Sequence, residues 1–290
     1  MNIYETLPAG IQQLIDKKKK QHTKTIPEEK VYMAPDQAMI EDAAVALAQG
    51  KNILLKGPTG SGKTTFAETL SGLFQNPMHM INCSVDLDAE SLLGFKTLQY
   101  NSNHEQEIVF VPGPVVQAME KGEFLYIDEI NMAKPETLPI LNSVLDYRKS
   151  LTNPFTSETV KAKEGFGVIA AVNEGYIGTT PLNEALKNRF IVIDVPYIEG
   201  ETLRNVLKEQ SLISDSEHIE FFIALSKDLI QATRQGTLSE EAASVRALLD
   251  AADLSVAIPL KRAVQRAIID KLDEDREKEF LDNIVEMLLP

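Results

Sequence analysis

The segment Gly57-Pro58-Thr59-Gly60-Ser61-Gly62-Lys63-Thr64 decides how this chain of 290 residues folds. It matches the pattern G-x-x-x-x-G-K-[ST], whose glycines let a tight loop turn its backbone N–H groups toward phosphate oxygens. The apolar run Asn52–Lys56 precedes the loop, and helical sequence from Lys63 to about Leu73 follows it. Because strand, loop and helix in this order begin a parallel sheet, we predict an α/β fold with a nucleotide-binding loop. A chance glycine-rich turn is the weaker interpretation, since it would not require the flanking strand and helix.

The residue types in this loop predict ATP and Mg²⁺ as cofactors. Lys63 has the length and charge to reach the β- and γ-phosphates, and the hydroxyl of Thr64 is a ligand for Mg²⁺. Thr65 follows in the first turn of the helix, where the backbone N–H groups and the helix dipole favour phosphate. We therefore assign nucleotide binding to Gly57–Thr65.

A second motif, Phe124-Leu125-Tyr126-Ile127-Asp128-Glu129, places two acids at the end of an apolar strand. Ligand sites in α/β sheets lie at the carboxyl ends of the strands. Asp128 is therefore predicted to hold Mg²⁺, directly or through water, and Glu129 to act as general base on the attacking water. The alternative is an acidic turn in solvent. It is less favoured because the motif lies 65 residues beyond Lys63 in a chain with a phosphate-binding loop.

Further apolar runs and a change of pattern after Pro196 define the domain organisation. The apolar runs predict central strands at Met78–Asn82, Val168–Val172 and Ile191–Val195. Helical periodicity predicts helices at 36–49, 201–210, 216–235, 239–254, 259–272 and 275–289. Pro259 suits the first turn of its helix, where a missing N–H costs little. We predict an N-terminal extension at 1–35, an α/β core at 36–198 and an all-helical domain at 199–290.

Charge and cysteine content argue against a nucleic-acid-binding protein, a disulfide-bonded protein and a cysteine-dependent enzyme. The formal net charge is −14, so binding to nucleic acid is not expected without a local basic surface. The basic run Lys17–Lys20, with Lys24, is interpreted as the solvated end of a helix in preference to a contact with an acidic partner. The one cysteine, Cys83, is expected to be a buried apolar side chain in a reducing compartment, and not a nucleophile.

Targeting signals and histidine ligands are not evident in the sequence. The N-terminus lacks the pattern of a signal peptide, and no apolar run has the length of a membrane span. We therefore expect a cytoplasmic protein. The four histidines show no spacing typical of zinc or iron ligands and are expected to be scattered surface residues: His22, His79, His104 and His218.

At this point the chain resembles a known family. The phosphate-binding loop, Asp128-Glu129-Ile130-Asn131 and Val168–Asn173 together are similar to those of an AAA+ ATPase. The resemblance is closest to the MoxR group of dynein-related AAA domains, with its CbbQ/NorQ-like and gas-vesicle-N-like branches, and it covers about residues 36–290. Met132 departs from the pattern, because many relatives carry arginine there. The resemblance implies a P-loop NTPase sheet between helices, followed by a helical lid domain.

The resemblance also implies roles for four polar residues outside the two motifs. Asn173 matches sensor 1, which orients the attacking water; the alternative is that its amide caps the turn at Gly175. Arg189 matches the arginine finger that acts in trans on the neighbouring subunit's γ-phosphate, with a surface ion pair as the alternative. Arg246 matches sensor 2 in the lid and would contact the nucleotide of its own subunit. Arg148 is equally compatible with a second trans arginine and with a structural ion pair.

Two insertions in the core fit the same group. In the first, 84–112, Asp88–Leu93 is predicted to form a short helix, and Leu98–Tyr100 and Glu107–Phe110 to pair as a hairpin across 101–105. The second, 149–166, is predicted to form a hairpin that turns near Asn153-Pro154. In rings of this type such hairpins project toward the pore and the client protein.

The function implied by the resemblance is remodelling of a client. The resemblance implies a homo-oligomeric, hexameric ATPase that matures or activates an enzyme complex together with a von Willebrand factor A-domain partner. One alternative is a restriction-type nucleic-acid motor, which could prefer GTP, although the acidic charge argues against it. Another is a nucleotide-gated scaffold with little turnover, which the presence of Glu129, Asn173 and Arg189 disfavours.

Overall fold

The computed structural model of the chain describes residues 3–19, 31–83, 87–102, 104–173 and 182–289. The strands are β1 Asn52–Gly57, β2 Met78–Asn82, β3 Gly94–Tyr100, β4 Gln106–Pro112, β5 Phe124–Asp128, β6 Ser150–Thr152, β7 Thr159–Lys161, β8 Gly167–Asn173 and β9 Phe190–Asp194. The helices are α1 Ile3–Thr6, α2 Ala9–Lys18, α3 Gln37–Ala48, α4 Lys63–Phe74, α5 Ala89–Leu93, α6 Pro114–Lys121, α7 Leu138–Leu145, α8 Glu184–Lys187, α9 Gly200–Gln210, α10 Ser216–Arg234, α11 Val245–Ser255, α12 Leu260–Ala267 and α13 Asp275–Leu288.

Five strands form one parallel sheet in the order β2-β5-β8-β1-β9. The five predicted central strands are confirmed, each with its ends within one residue. In the register, Gly57 at the end of β1 lies opposite Asn173 at the end of β8. Asp128 at the end of β5, on the other side of β8, lies opposite Asn82. All these strand ends therefore meet at one edge of the sheet, where α/β proteins bind ligands.

Helices cover both faces of the sheet because successive strand side chains point to opposite sides. On one face Ile53 and Tyr126 belong to a buried cluster that also includes side chains of α3 and α4. On the other face Leu54 and Leu125 pack in a second cluster with side chains of α6 and α7. Burying one such aliphatic side chain contributes roughly 1.5–3 kcal/mol. This arrangement confirms the predicted α/β fold of a P-loop NTPase.

The N-terminal helices pack on the α/β core. Ile15 of α2 is fully buried, and the side-chain amide of Gln37 donates to the carbonyl of Thr6 at 2.7 Å. Asp36, predicted as the first residue of this helix, is its N-cap and accepts the N–H of Ala38 at 2.9 Å. Within the predicted basic run, α2 ends at Lys18, whereas Lys20 and Lys24 lie outside the described residues.

The C-terminal region is helical, as predicted, and its buried side chains continue one of the two core clusters. Two predicted helices are wrong in length. The helix predicted at 239–254 is interrupted, because Ser244 is extended (φ −65°, ψ 126°) between a 3₁₀ turn at Glu240–Ala243 and α11. The helix predicted at 259–272 ends at Ala267, because Ile268 leaves helical geometry (φ −124°, ψ −62°), and Pro259 is its N-cap instead of lying in its first turn. Among the described helices, none is long and apolar enough to cross a membrane.

Both predicted hairpins are present. β3 and β4 pair antiparallel, with Leu98 opposite Ile108, and this hairpin is longer than predicted. Leu98, Ile108 and Tyr100 remain 65%, 71% and 69% exposed, so an apolar surface projects from the core. The predicted short helix is α5, which is capped by Asp88. β6 and β7 form the second hairpin around the predicted turn.

Candidate nucleotide-binding and catalytic site

A cavity of about 250 Å³ lies at the edge of the sheet where the strand ends meet. Its walls come from the loop after β1, from the ends of β5 and β8, and from the C-terminal helices. It brings together most of the predicted site residues, namely Thr59, Gly60, Gly62, Lys63, Thr64, Thr65, Asp128, Glu129, Asn173 and Arg246. Sequence motifs that lie up to 187 residues apart thus share one cavity.

The phosphate loop has the backbone conformation that its glycines permit. Gly60 and Gly62 have φ angles of +74° and +89°, which other residues adopt only with strain. A Cβ on Gly57 would lie 2.0 Å from the carbonyl oxygen of Val195, so this position also excludes a side chain. Ser61 is fully buried. Three residues of the predicted phosphate loop do not line the cavity, namely Gly57, Pro58 and Ser61.

Lys63 is held by the loop itself. Its Nζ donates to the carbonyl oxygens of Gly57 at 3.0 Å and Pro58 at 2.7 Å, and the residue is only 6% exposed. Burial lowers the pKa of Lys63 to about 8, although the negative charges of Asp128, Glu240 and Glu129 oppose that shift. The ammonium group thus has uncharged carbonyl partners, which negatively charged phosphate oxygens can replace.

The two acids of the second motif adopt a geometry suited to a reactive site. Glu129 has a left-handed backbone with φ 50°, and its N–H donates to the carboxylate of Asp128 at 3.0 Å. Such a conformation costs about 1–3 kcal/mol in a non-glycine residue and is concentrated at functional sites. The side-chain amide of Asn173 donates to Glu129 Oε1 at 3.3 Å. The Gly175 turn, the alternative partner for Asn173, lies outside the described residues.

The cavity contains oxygen ligands of the kind that Mg²⁺ prefers. The hydroxyl of Thr64 and the carboxylate of Asp128 both line it, and Mg²⁺ is commonly held by one or two such groups together with water and substrate phosphates. Among the described residues, no group of three or more histidine, cysteine or acidic side chains is arranged so that it could hold a metal ion by itself. The hydroxyl of Tyr126 lies 3.2 Å from that of Thr64. Burial raises the pKa of Tyr126, and the charge of Asp128 raises it further.

Cys83 and His79 lie outside the cavity. The burial of Cys83 was predicted correctly, whereas that of His79 was not. Cys83 is buried and unpaired, as predicted, and burial raises the pKa of its thiol to about 12. His79 was expected at the surface, which is wrong, because its Nε2 lies 2.6 Å from Glu123 Oε2 and the side chain is 19% exposed. The register of β2 with β5, which pairs His79 with Leu125, brings the histidine close to that acid.

The C-terminal helices contact the phosphate loop directly. The N–H of Val245 donates to the carbonyl of Gly60 at 3.3 Å, and the N–H of Thr59 donates to the carboxylate of Glu240 at 3.2 Å. A Cβ on Gly60 would lie 2.1 Å from the hydroxyl oxygen of Ser244. Gly60 therefore has no room for a side chain here. α11 begins at the next residue, Val245, and its second residue, Arg246, lines the cavity.

The other two predicted arginines lie elsewhere in the described part of the chain, since neither Arg189 nor Arg148 lines the cavity. Arg189 Nη1 donates to the carbonyl of Ala185. Arg148 Nε pairs with Asp146 at 2.9 Å, and its side chain is 70% exposed. Hydrogen bonds from Arg148 lower the pKa of Asp146, with a smaller contribution from the charge of Arg189. Both arginines are therefore close to one carboxylate.

Several cavity residues were not predicted. The apolar end is lined by Tyr32, Met33, Ile198, Val206, Gln210 and Leu249. Tyr32 stacks on Phe66 with ring centres 4.7 Å apart, and the amide of Gln210 donates to the carbonyl of Val31 at 3.0 Å. A largely apolar lining beside a phosphate loop suits a nucleotide base. No local pattern marks these residues, because they converge from three distant segments.

Comparison with known proteins identifies the family. Residues 52–190 match the AAA domain of the dynein-related subfamily. The chain therefore contains an AAA domain. It is similar to the uncharacterised Bacillus subtilis protein YojN, with 60% identity over 98% of this chain and 94% of that protein. An uncharacterised protein of Staphylococcus epidermidis is 61% identical over 89% of this chain and 98% of its own length.

Two solved structures are similar in fold to this chain. The crystal structure of a proposed ATPase from Cytophaga hutchinsonii has a TM-score of 0.52 and 20% identity, and the match covers 98% of this chain and 94% of that one. A point mutant of Thermotoga maritima RuvB has a TM-score of 0.53 and 17% identity, over 90% and 79% of the two chains. At these identities the likeness concerns the fold alone.

Proposed function

We propose that this AAA+ chain hydrolyses ATP with Mg²⁺ and works as an oligomer in which Arg189 acts on the nucleotide of a neighbouring subunit. The observation that carries the proposal is the composition of one cavity. Its lining includes Lys63, Glu129, Asn173 and Arg246, whereas Arg189, which is also a described residue, does not line it.

Phosphate binding follows from the geometry of the loop. The N–H groups of the loop and the start of α4 attract the phosphates, and Lys63 exchanges the carbonyls of Gly57 and Pro58 for phosphate oxygens. Thr64 and Asp128 are the residues that would hold Mg²⁺. When bound, that ion neutralises part of the charge on the β- and γ-phosphates.

Hydrolysis requires a water aimed at the γ-phosphate. Glu129 is assigned to take a proton from this water, since its carboxylate lines the cavity close to the loop. Asn173 holds that carboxylate through its 3.3 Å hydrogen bond and is assigned to orient the water with its remaining polar groups. Arg246 is assigned to the nucleotide of its own subunit, because α11 brings it to the same cavity.

Arg189 is assigned a role in trans because it is charged, half-buried and outside the cavity of its own subunit. Its guanidinium suits bidentate contact with a phosphate across a subunit interface. Arg148, near the same Asp146, is the second candidate for that contact. The active site is then complete only in an oligomer, which we propose to be a hexameric ring.

The work done with ATP is proposed to be remodelling of a client protein, as in the MoxR-like group, with a von Willebrand factor A-domain partner. Residues 36–198 would form the core and 199–290 a lid that moves against it. Thr59 contacts Glu240, and Gly60 contacts Val245. Through these contacts a change in the phosphate loop during ATP hydrolysis would move the lid. The exposed apolar surface of the β3–β4 hairpin is the proposed contact with the client.

Mixing two inactive variants tests the assignment in trans. Arg189→Ala should bind ATP normally but lose about 10³–10⁵-fold in turnover, as for other arginine fingers. Lys63→Ala should lose nucleotide binding yet still offer its arginine. In mixed oligomers some intact cavities face intact arginines, so ATPase activity should partly return. Arg246→Ala is the matched control, because mixing it with Lys63→Ala supplies no intact cavity.

Native mass spectrometry shows whether mixed oligomers form. If they form and Arg189→Ala remains inactive in them, the assignment of Arg189 in trans is wrong and Arg148 takes its place. For the client, Glu129→Gln loaded with ATP should retain a partner with a von Willebrand factor A domain that the ADP-loaded protein releases. Equal retention in both states would contradict the proposed remodelling.

A further inference from the structure

The hydroxyl of Tyr126 is an unusual group at its position in β5. The residue is fully buried, and its neighbours Leu125 and Ile127 are buried apolar side chains on the other face of the sheet. A hydroxyl removed from water is costly unless it has a hydrogen-bond partner. Its partner is Thr64, at 3.2 Å between the two side-chain oxygens. Phenylalanine or leucine would fill this space without that requirement.

The same hydroxyl lies close to the second proposed Mg²⁺ ligand. Asp128 follows Tyr126 by two residues in β5, and residues two apart point to the same face of a strand. α4, which begins at Lys63, packs against this face and brings Thr64 over Tyr126. One phenol thus stands beside two side chains that come from different elements and line the same cavity.

We infer that Tyr126 is a positioning residue for Mg²⁺: its hydroxyl orients the Thr64 hydroxyl and the Asp128 carboxylate and so sets the affinity of the site for the ion. This inference rests on the proposed function, because it concerns the ion that accompanies the nucleotide. Tyr126 itself does not line the cavity.

The chemistry gives the hydroxyl a defined task. A threonine that ligates a cation must point an oxygen lone pair at the ion and send its own hydrogen elsewhere. The Tyr126 oxygen accepts that hydrogen, and the phenol O–H then points toward the Asp128 carboxylate. The phenol is neutral at pH 7 and serves as both donor and acceptor. Partners of this kind typically change metal affinity by about 10–100-fold when they are removed.

The test is Tyr126→Phe, which removes one oxygen and keeps the ring that packs in the core. Binding of a fluorescent ADP analogue in EDTA should stay within about twofold of the wild type, because the phosphate loop is untouched. In the presence of ADP, the affinity for Mn²⁺ measured by electron paramagnetic resonance should fall by about 10–100-fold. The Mg²⁺ concentration for half-maximal turnover should rise by a similar factor. Tyr197→Phe is the matched control, since it removes another buried hydroxyl that has no hydrogen-bond partner among the described residues.

A double-mutant cycle shows whether Tyr126 acts through Thr64. In a Thr64→Ala background, Tyr126→Phe should weaken Mn²⁺ binding much less than it does in the wild type. Unchanged Mn²⁺ affinity in Tyr126→Phe, or an equal loss of nucleotide binding with and without the ion, would overturn the inference. If Tyr126→Phe does not fold, the hydroxyl supports the fold instead, and the inference is overturned. If the wild-type protein bound no nucleotide, the proposed function itself would be refuted. If the wild type binds nucleotide and Mn²⁺ and only the Tyr126 results fail, the inference alone is wrong.

Discussion

Nucleotide binding near pH 8 should be accompanied by uptake of a proton by Lys63. Burial lowers the pKa of this lysine to about 8 in the free protein. Bound phosphates add negative charge next to Nζ and so raise its pKa, because an opposite charge favours the ammonium form. At pH 8 the free lysine is half protonated and the bound one fully protonated, which corresponds to about 0.5 proton per site. The same arithmetic gives about 0.1 proton at pH 7 and about 0.9 at pH 9, provided that the bound pKa exceeds ~10.

The sign of the effect on affinity follows from the same linkage. Above pH 8 most free protein has lost the proton that the complex needs, so affinity should fall by about tenfold per pH unit up to the pKa of the complex. Below pH 8 affinity should depend little on this group. ADP is a convenient ligand because its own phosphates are already deprotonated in this range.

Calorimetry measures the proton directly. The observed binding enthalpy of ADP at pH 8 is compared in two buffers of different ionisation enthalpy, neither of them phosphate, and the difference gives the number of protons taken up. Lys63→Arg is the matched control, since a guanidinium stays protonated and should show no uptake. Equal enthalpies in both buffers for the wild type, or uptake that persists in Lys63→Arg, would refute the account of Lys63.

Two further predictions concern the contact between the phosphate loop and the C-terminal helices. Glu240→Gln should bind ATP about fivefold more tightly at low salt, because a half-buried carboxylate near the phosphates repels them by roughly 1 kcal/mol. Isothermal titration calorimetry measures this affinity. A similar gain in Glu241→Gln, which changes the exposed neighbour, would contradict the prediction. Gly60→Ala should lower both stability and nucleotide affinity more than Gly50→Ala, since both glycines have φ +74° but only a Cβ on Gly60 meets Ser244 at 2.1 Å. Gly50→Ala isolates the cost of the backbone conformation, about 1 kcal/mol, and equal losses of the free energy of unfolding in the two variants would show that the contact with Ser244 does not matter.

The central sheet could be predicted because its determinants are local. Each strand is a short apolar run bounded by turn residues or acids, as in Phe124–Asp128, and its side chains alternate between two buried faces. The phosphate loop could be predicted for the same reason, since its glycines and Lys63 are contiguous. Because parallel strands end at one edge, the nearness of Asp128 and Asn173 to the loop also followed from the sequence.

What could not be predicted depends on contacts between distant segments. The helical periodicity of 239–254 is continuous, yet Ser244 is extended at the point where it packs against Gly60 in the loop. Glu240 reaches Thr59 across 181 residues of sequence, and no local pattern marks it. The hydroxyl of Tyr126 was visible as a polar group in an apolar strand, but its partner Thr64 lies on another element. Tertiary contact decided each of these cases.

ATP hydrolysis by Glu129→Gln tests the central claim most directly, which is that this cavity carries out the reaction. Glutamine keeps the oxygen that accepts the hydrogen bond from Asn173 but cannot take a proton from water. With Mg²⁺ present, we predict that the variant binds ATP within about threefold of the wild type, and that phosphate release falls by ~10²–10⁴-fold, the usual contribution of a general base. Phosphate release at the wild-type rate from the variant, with ATP bound equally well, would contradict the account.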